Sequence, residues 1–272
     1  MGISGKLQWY DGTNCSAIGA VREVTIGART RRTTTNPTIA TRKRYGSQIT
    51  EVVPTVNFRY ALQDFNLFTS HLVKTLEGSL TDFDLAYYDG QEYGLVKDVT
   101  PDTVEVKAQQ GGEISVDVNA IAGNISKGLP TVTWVSDISV PPSTWRQTTV
   151  LNVSGVDVLN HFREWSFRVG NNAFADVTGN VLTPSALLWG KADYNGRIEI
   201  AKSITSFADE LVNASKVSIQ VSFKNRASSP VERCFTFLSV DLRQAEVRLP
   251  MDLVVHRIEW ESNLFNISTV SG

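Results

Sequence analysis

The chain has 272 residues, with 26 Lys plus Arg against 28 Asp plus Glu, a net charge of −2 and 42% hydrophobic residues. That composition supports a buried core and excludes a disordered chain, and the charge balance excludes a globally basic nucleic-acid binder. Two cysteines, Cys15 and Cys234, are too far apart for a zinc motif and too few for a disulfide framework. No apolar run approaches the roughly 18 residues of a membrane span, so no membrane association is expected.

Val, Thr and Ile account for 71 of the 272 residues. Such side chains suit a pleated, half-buried surface, and the chain is expected to be mainly β. In chain order, a first strand runs through Val21–Ile26. The segment Gly27–Tyr45 then carries Arg29, Arg31, Arg32, Arg42, Lys43 and Arg44 and no acid. Those six charges leave 20 basic and 28 acidic residues elsewhere, so a basic arm is attached to an acidic body. The arm reads as a long polar loop, too polar to fold alone and mobile in the monomer. Three roles are open to it: a solvated tip, a phosphate site, or a docking element for the acidic face of an identical neighbour.

A helix is expected from Asp64, with Phe65, Phe68, Leu72 and Leu76 on one face and Gly78 as its stop. Alternating strands follow at Thr81–Tyr87 and Glu113–Asn119, and Gln109–Gly112 turns the closing hairpin that ends in the latter. A second short helix is expected from Ser206, with Phe207, Leu211 and Ala214 as its stripe. A strand at Lys216–Lys224 and a turn at Leu249–Asp252 follow it.

These elements repeat. Arg22-Glu23-Val24-Thr25-Ile26 parallels Arg163-Glu164-Trp165-Ser166-Phe167, and Glu105-Val106-Lys107 parallels Glu246-Val247-Arg248, both at an offset of 141 residues. The predicted organisation is therefore two tandem β-sandwich or partial-barrel units, each with one short helix, at 1–126 and 162–272. The connecting segment 127–161 is proline-rich and carries apolar strands near Val132–Val135 and Val150–Val153. It is expected to add an edge or belt of its own.

No catalytic chemistry is legible. His71, His161 and His256 are widely separated, and no nucleophile, P-loop, dinucleotide or zinc motif occurs. The expectation is a protein that is not an enzyme, with no cofactor and no metal. Trp9, Trp134 and Trp145 are candidates for stacking on a sugar, which keeps a glycan-binding β-sandwich as an alternative.

The order of elements from about Val21 to Asn263 resembles the tail tube proteins (major tail proteins) of long-tailed phages. That order is a first strand, a long polar loop, long strands, a short helix and a closing hairpin. The resemblance implies a structural virion protein, assembled in the host cytoplasm, whose units form stacked rings around a lumen that conducts DNA without sequence-specific binding. Its partners would be itself and other tail proteins at the tube ends. A baseplate hub or distal tail protein is the alternative within the same setting. Single-unit relatives close as rings of six units, so a two-unit chain implies a homotrimeric ring. The charged arm would reach the adjacent ring. Glu113, Asp117, Glu199 and Asp252 are the candidates for the lumen face, where acidic groups would repel phosphates.

Overall fold

The computed structural model describes residues 6–34, 47–73, 80–128, 134–177, 182–201, 217–248 and 255–270. The fold is mainly β and almost wholly antiparallel. The strands of the first half are β1 (Lys6–Tyr10), β2 (Cys15–Ala17), β3 (Ala20–Thr34), β4 (Ser47–Ala61), β5 (Phe83–Tyr88), β6 (Tyr93–Gln109), β7 (Ile114–Ile121) and β8 (Asn124–Lys127). The second half holds β9 (Thr148–Val153), β10 (Val156–Asp157), β11 (Phe162–Gly170), β12 (Ala173–Asp176), β13 (Ala186–Trp189) and β14 (Asp193–Ile200). It continues with β15 (Val217–Lys224), β16 (Glu232–Arg248), β17 (Val255–Ser262) and β18 (Leu264–Val270).

A central sheet runs in the order β3–β4–β7–β6–β11–β14–β17–β16. Two smaller sheets flank it. One holds β2, β1, β5, β8 and the N-terminal part of β6, and the other holds β10, β9, β15, β18 and the N-terminal part of β16. β6 and β16, each 17 residues long, therefore pass from a flanking sheet into the central one. Such a corner needs a local break in the ladder. Each strand supplies one at a residue with positive φ, Asp98 at 55° and Ser239 at 51°.

The pairings of the two halves correspond. β3·β4, β4·β7, β6·β7, β5·β6 and β6·β8 have counterparts in β11·β14, β14·β17, β16·β17, β15·β16 and β16·β18. The irregularities correspond too. Bulges fall at Arg22 and Arg163, and at Asp102 and Arg243, each pair 141 residues apart, as are Asp98 and Ser239.

The core lies between the central and flanking sheets. β11 shows the alternation that builds it: Trp165, Phe167 and Val169 are buried, while Arg163 and Arg168 are exposed. In the second half, Trp165, Phe167, Tyr194, Phe223, Phe235, Phe237, Trp260 and Phe265 form one aromatic cluster with ring centroids 4.5–6.4 Å apart. Ring pairs at this spacing add to the burial of their area.

Three expectations are modified. The helix from Asp64 is a single π-type turn, Phe68–Leu72, that stops at an extended Val73 (φ −121°, ψ 117°). Asp64 does accept the Asn66 N–H at 3.1 Å, and Phe65, Phe68 and Leu72 are buried as the stripe required. A β-branched residue in extended backbone leaves no room for a longer α-helix. Leu76, Gly78 and the segment from Ser206 through Phe207, Leu211 and Ala214 lie outside the described residues, as does the turn at Leu249–Asp252.

The arm is not a loop along Gly27–Thr34, because these residues continue β3 in register with Ser47–Thr55 of β4. Ladder hydrogen bonds come from the backbone, so a Thr- and Arg-rich strand can extend a hairpin without an apolar face. Finally, Val150–Val153 falls in β9, which pairs with β15 and so joins the second half's flanking sheet.

Gly196 lies on the core side between Phe167 and Trp260 in the ladder. A Cβ there would sit 2.3 Å from the Trp260 ring and 2.4 Å from the Ser166 carbonyl oxygen. Gly196→Ala is expected to lower stability by about 1–3 kcal/mol through overpacking. Gly27→Ala, whose Cβ would meet only Thr55 Oγ1 at 3.8 Å, should change it by less than about 0.5 kcal/mol. Denaturant unfolding of the two variants measures the contrast.

Candidate assembly surface

The face of the central sheet turned away from the core is polar across all eight strands. One cross-strand row reads Glu23, Arg59, Asp117, Glu105, Arg168, Asn195, Glu261 and Asp241. A neighbouring row reads Ser115, Lys107, Ser166, Arg197, Glu259 and Gln244. Glu23–Arg59, Arg59–Asp117, Glu105–Arg168 and Arg197–Glu259 place opposite charges across adjacent strands, which stabilises such pairs, whereas Asp117–Glu105 and Glu261–Asp241 place like charges opposite one another.

Of the acidic candidates, Asp117 lies at the centre of this face and makes an ion pair with Arg59. The same contact, first as a hydrogen bond and then as a charge, pushes the Arg59 guanidinium pKa up. Glu199 lies on the same face of β14, 3.9 Å from Arg197. Glu113 immediately precedes β7 and binds Arg22 at 2.6 Å. Asp252 lies outside the described residues. The sheet thus brings three acids to one side, but each has an arginine partner, and the face is a mosaic rather than an acidic lining. The arginines and Lys107 were missed because only the acids were read. The alternation in Val104–Ala108 and Tyr194–Ile200 already places Lys107 and Arg197 on the acids' side.

Glu164 is the most enclosed of these groups, with a side chain 10% exposed between Lys107 Nζ at 3.4 Å and the Arg197 guanidinium. The pair Arg243–Glu261, at 2.5 Å, is open to solvent at both ends.

Of the basic arm, Arg29 and Arg31 are exposed on β3 and Arg32 follows on the same strand. Arg42, Lys43 and Arg44 lie outside the described residues.

Both ends of the central sheet are open. Among the described residues, β3 pairs with β4 alone, and the segment 241–248 of β16 pairs with β17 alone. Beside the β3 edge runs a groove of about 630 Å³ lined by Val21, Val24, Ile26, Tyr87, Asp89 and Ile125, among others. Sheet edges with unpaired backbone groups recruit further strands unless they are blocked.

The three candidate sugar-stacking rings lie in different places. Trp9 is 4.9 Å from the His71 ring, Trp134 is 5.7 Å from Tyr93, and Trp145 is 6.1 Å from Phe162. Among the described residues there is no group of three or more His, Cys, Asp or Glu side chains able to hold a metal, and no helix long and apolar enough to cross a membrane. Compared with known proteins, the chain matches no family model and no curated sequence.

Replacing Glu164 by Gln should cost about 1.5–3 kcal/mol, because two cations lose their acceptor where water has little access. Arg243→Ala should cost less than about 1 kcal/mol, as expected for an exposed pair. Chemical denaturation in parallel checks the ranking.

Proposed function

We propose that the protein is the structural subunit of a phage-type tail tube, built from two copies of one tube-like unit and polymerising into stacked rings around a DNA conduit. The observation that carries this reading is the central sheet: two four-stranded halves joined edge to edge, with a matching edge left open at each end among the described residues. Eight strands closed on themselves would leave a barrel filled by its own side chains. Three chains would supply 24 strands, which at about 4.8 Å spacing give a circumference of at least about 115 Å. A bore of that size admits a nucleic-acid duplex.

In this reading the polar face lines the bore. Its arginines and Lys107 lie among acids, several of them in ion pairs, so it offers phosphates no cationic trap. Passing DNA keeps its counterions because no array of free Lys or Arg replaces them. The recurring bulges and positive-φ residues support the duplication, with units at 1–126 and 162–272. The segment 127–161 spans the junction, and its strand β9 serves the second unit. The hairpin β3–β4, with Arg29, Arg31 and Arg32 near its outer end and Arg42, Lys43 and Arg44 beyond, is the element that reaches the next ring. Nothing in this role requires catalysis or a cofactor. Assembly in the host cytoplasm and residence in the virion follow from the role, as do contacts with other tail proteins at the tube ends.

Negative-stain microscopy of the purified protein tests the reading. Tubes of uniform width are expected. The quadruple replacement of Arg29, Arg31, Arg42 and Arg44 by Ser should leave the circular-dichroism spectrum unchanged while shortening or abolishing tubes, and raised salt should mimic it. Monodisperse small particles at every concentration would contradict the tube, and normal tube growth by the arm variant would contradict the arm's role.

A further inference from the structure

The chain contains, in its own middle, a worked example of how its two open edges can be satisfied. β6 pairs with β11 through Val104 opposite Val169, Glu105 opposite Arg168, Val106 opposite Phe167 and Lys107 opposite Ser166. β3 corresponds to β11, and β16 corresponds to β6, at an offset of 141 residues fixed by the shared bulges and by Asp98 and Ser239. Among the described residues, β3 and the segment 241–248 of β16 are also the positions where the central sheet is open.

We infer that β16 of one copy pairs antiparallel with β3 of a second copy in the register of β6 with β11. Ala245 then lies opposite Ala28, Glu246 opposite Gly27, Val247 opposite Ile26, and Arg248 opposite Thr25. The inference rests on the tube reading and specifies its ring contact. The partner is a second copy of this chain, met head to tail, so that the contact is heterologous and can close a ring.

A second observation points to the same partner. Across the internal junction, Phe65 and the π-helical turn that follows it in the first half complete the second half's core. Phe65 lies 5.5 Å from Phe223, and Phe68 lies 5.6 Å from Phe235. At the corresponding flank of the first half there is instead the open groove beside β3. Asp89, at the position of Phe223, lines it, and so does Val24, which is 38% exposed where its counterpart Trp165 is 0% exposed. The first half is therefore unfinished on the side where the second is finished by a neighbour. The same face of the next copy is the surface that matches it. β-Strand addition supplies affinity through the backbone, and the groove supplies specificity through side chains.

Site-directed disulfide trapping tests the register. Assemblies of the double variant Ala28→Cys plus Ala245→Cys, formed under reducing conditions and then oxidised, should yield covalent oligomers on a non-reducing gel. The native Cys15 and Cys234 are buried, which keeps the background low. The yield should exceed that of the slipped pair Ala28→Cys plus Val247→Cys, and of each single variant, by about tenfold, because only directly opposite Cα atoms fall within bonding reach. Thr25→Cys plus Arg248→Cys repeats the measurement on the alternate face should the first pair fail to fold. Tubes of normal width with no cross-link, or with the slipped pair favoured, would overturn the register and leave the tube reading standing. Cross-linking at Ala28 and Ala245 in compact oligomers would support the pairing and overturn the tube. Neither polymer nor cross-link would overturn both.

Discussion

The antiparallel ladder between β6 and β11 makes one sheet out of two halves, and the other features are arranged around it. Every buried backbone donor and acceptor needs a partner, and a four-stranded half ending at β6 or at β11 would expose a full strand's worth of them. Joining them satisfies both edges at once. It also fixes the distance between the two cores and lets the first half's π-helical turn enter the second half's aromatic cluster. Among the described residues, two further edges remain, at opposite ends of the sheet. Those edges are the basis on which assembly is proposed.

The two faces of the central sheet divide the physical work. The core face is apolar, and in the second half it is crowded enough that Gly196 must lack a side chain beside Trp260. The other face carries many charges, several of them in ion pairs: Asp117 with Arg59, Glu164 with Lys107 and Arg197, Glu259 with Arg257. Such pairs contribute modestly to stability when exposed. Their larger effect is on potential, since each ion pair has a weaker far field than its charges taken singly.

The sequence made the β class legible because apolar and other residues alternate along Thr81–Tyr87, Glu113–Asn119 and Lys216–Lys224, which lie largely in β5, β7 and β15. It also made Phe65, Phe68 and Leu72 legible as one buried stripe, whereas Asp64 does not cap the turn and accepts the Asn66 N–H just before it. The length of that helix was not legible, because residue spacing cannot distinguish a π-type turn from the start of an α-helix. The strand character of Gly27–Thr34 was missed for a related reason: polarity was read as disorder, although the ladder with Ser47–Thr55 is a backbone interaction. Strand parity places Glu113 and Asp117 on one side, repeat symmetry added Glu199 and Asp252, and Asp252 lies outside the described residues. The neutralisation of Glu113, Asp117 and Glu199 was not legible, because Arg22, Arg59 and Arg197 reach them across strands whose order a sequence does not state. The 141-residue offset was visible in short strings, and the bulges that recur at the same offset depend on pairing and could not be.

The central claim is that one chain carries two equivalent ring positions. The most direct measurement is the rotational symmetry of assembled rings viewed down the tube axis. The account predicts true threefold symmetry from three chains, with a strong sixfold component because the two halves lie at the same radius. Six chains in a true sixfold ring, with the two halves at different radii, would contradict it.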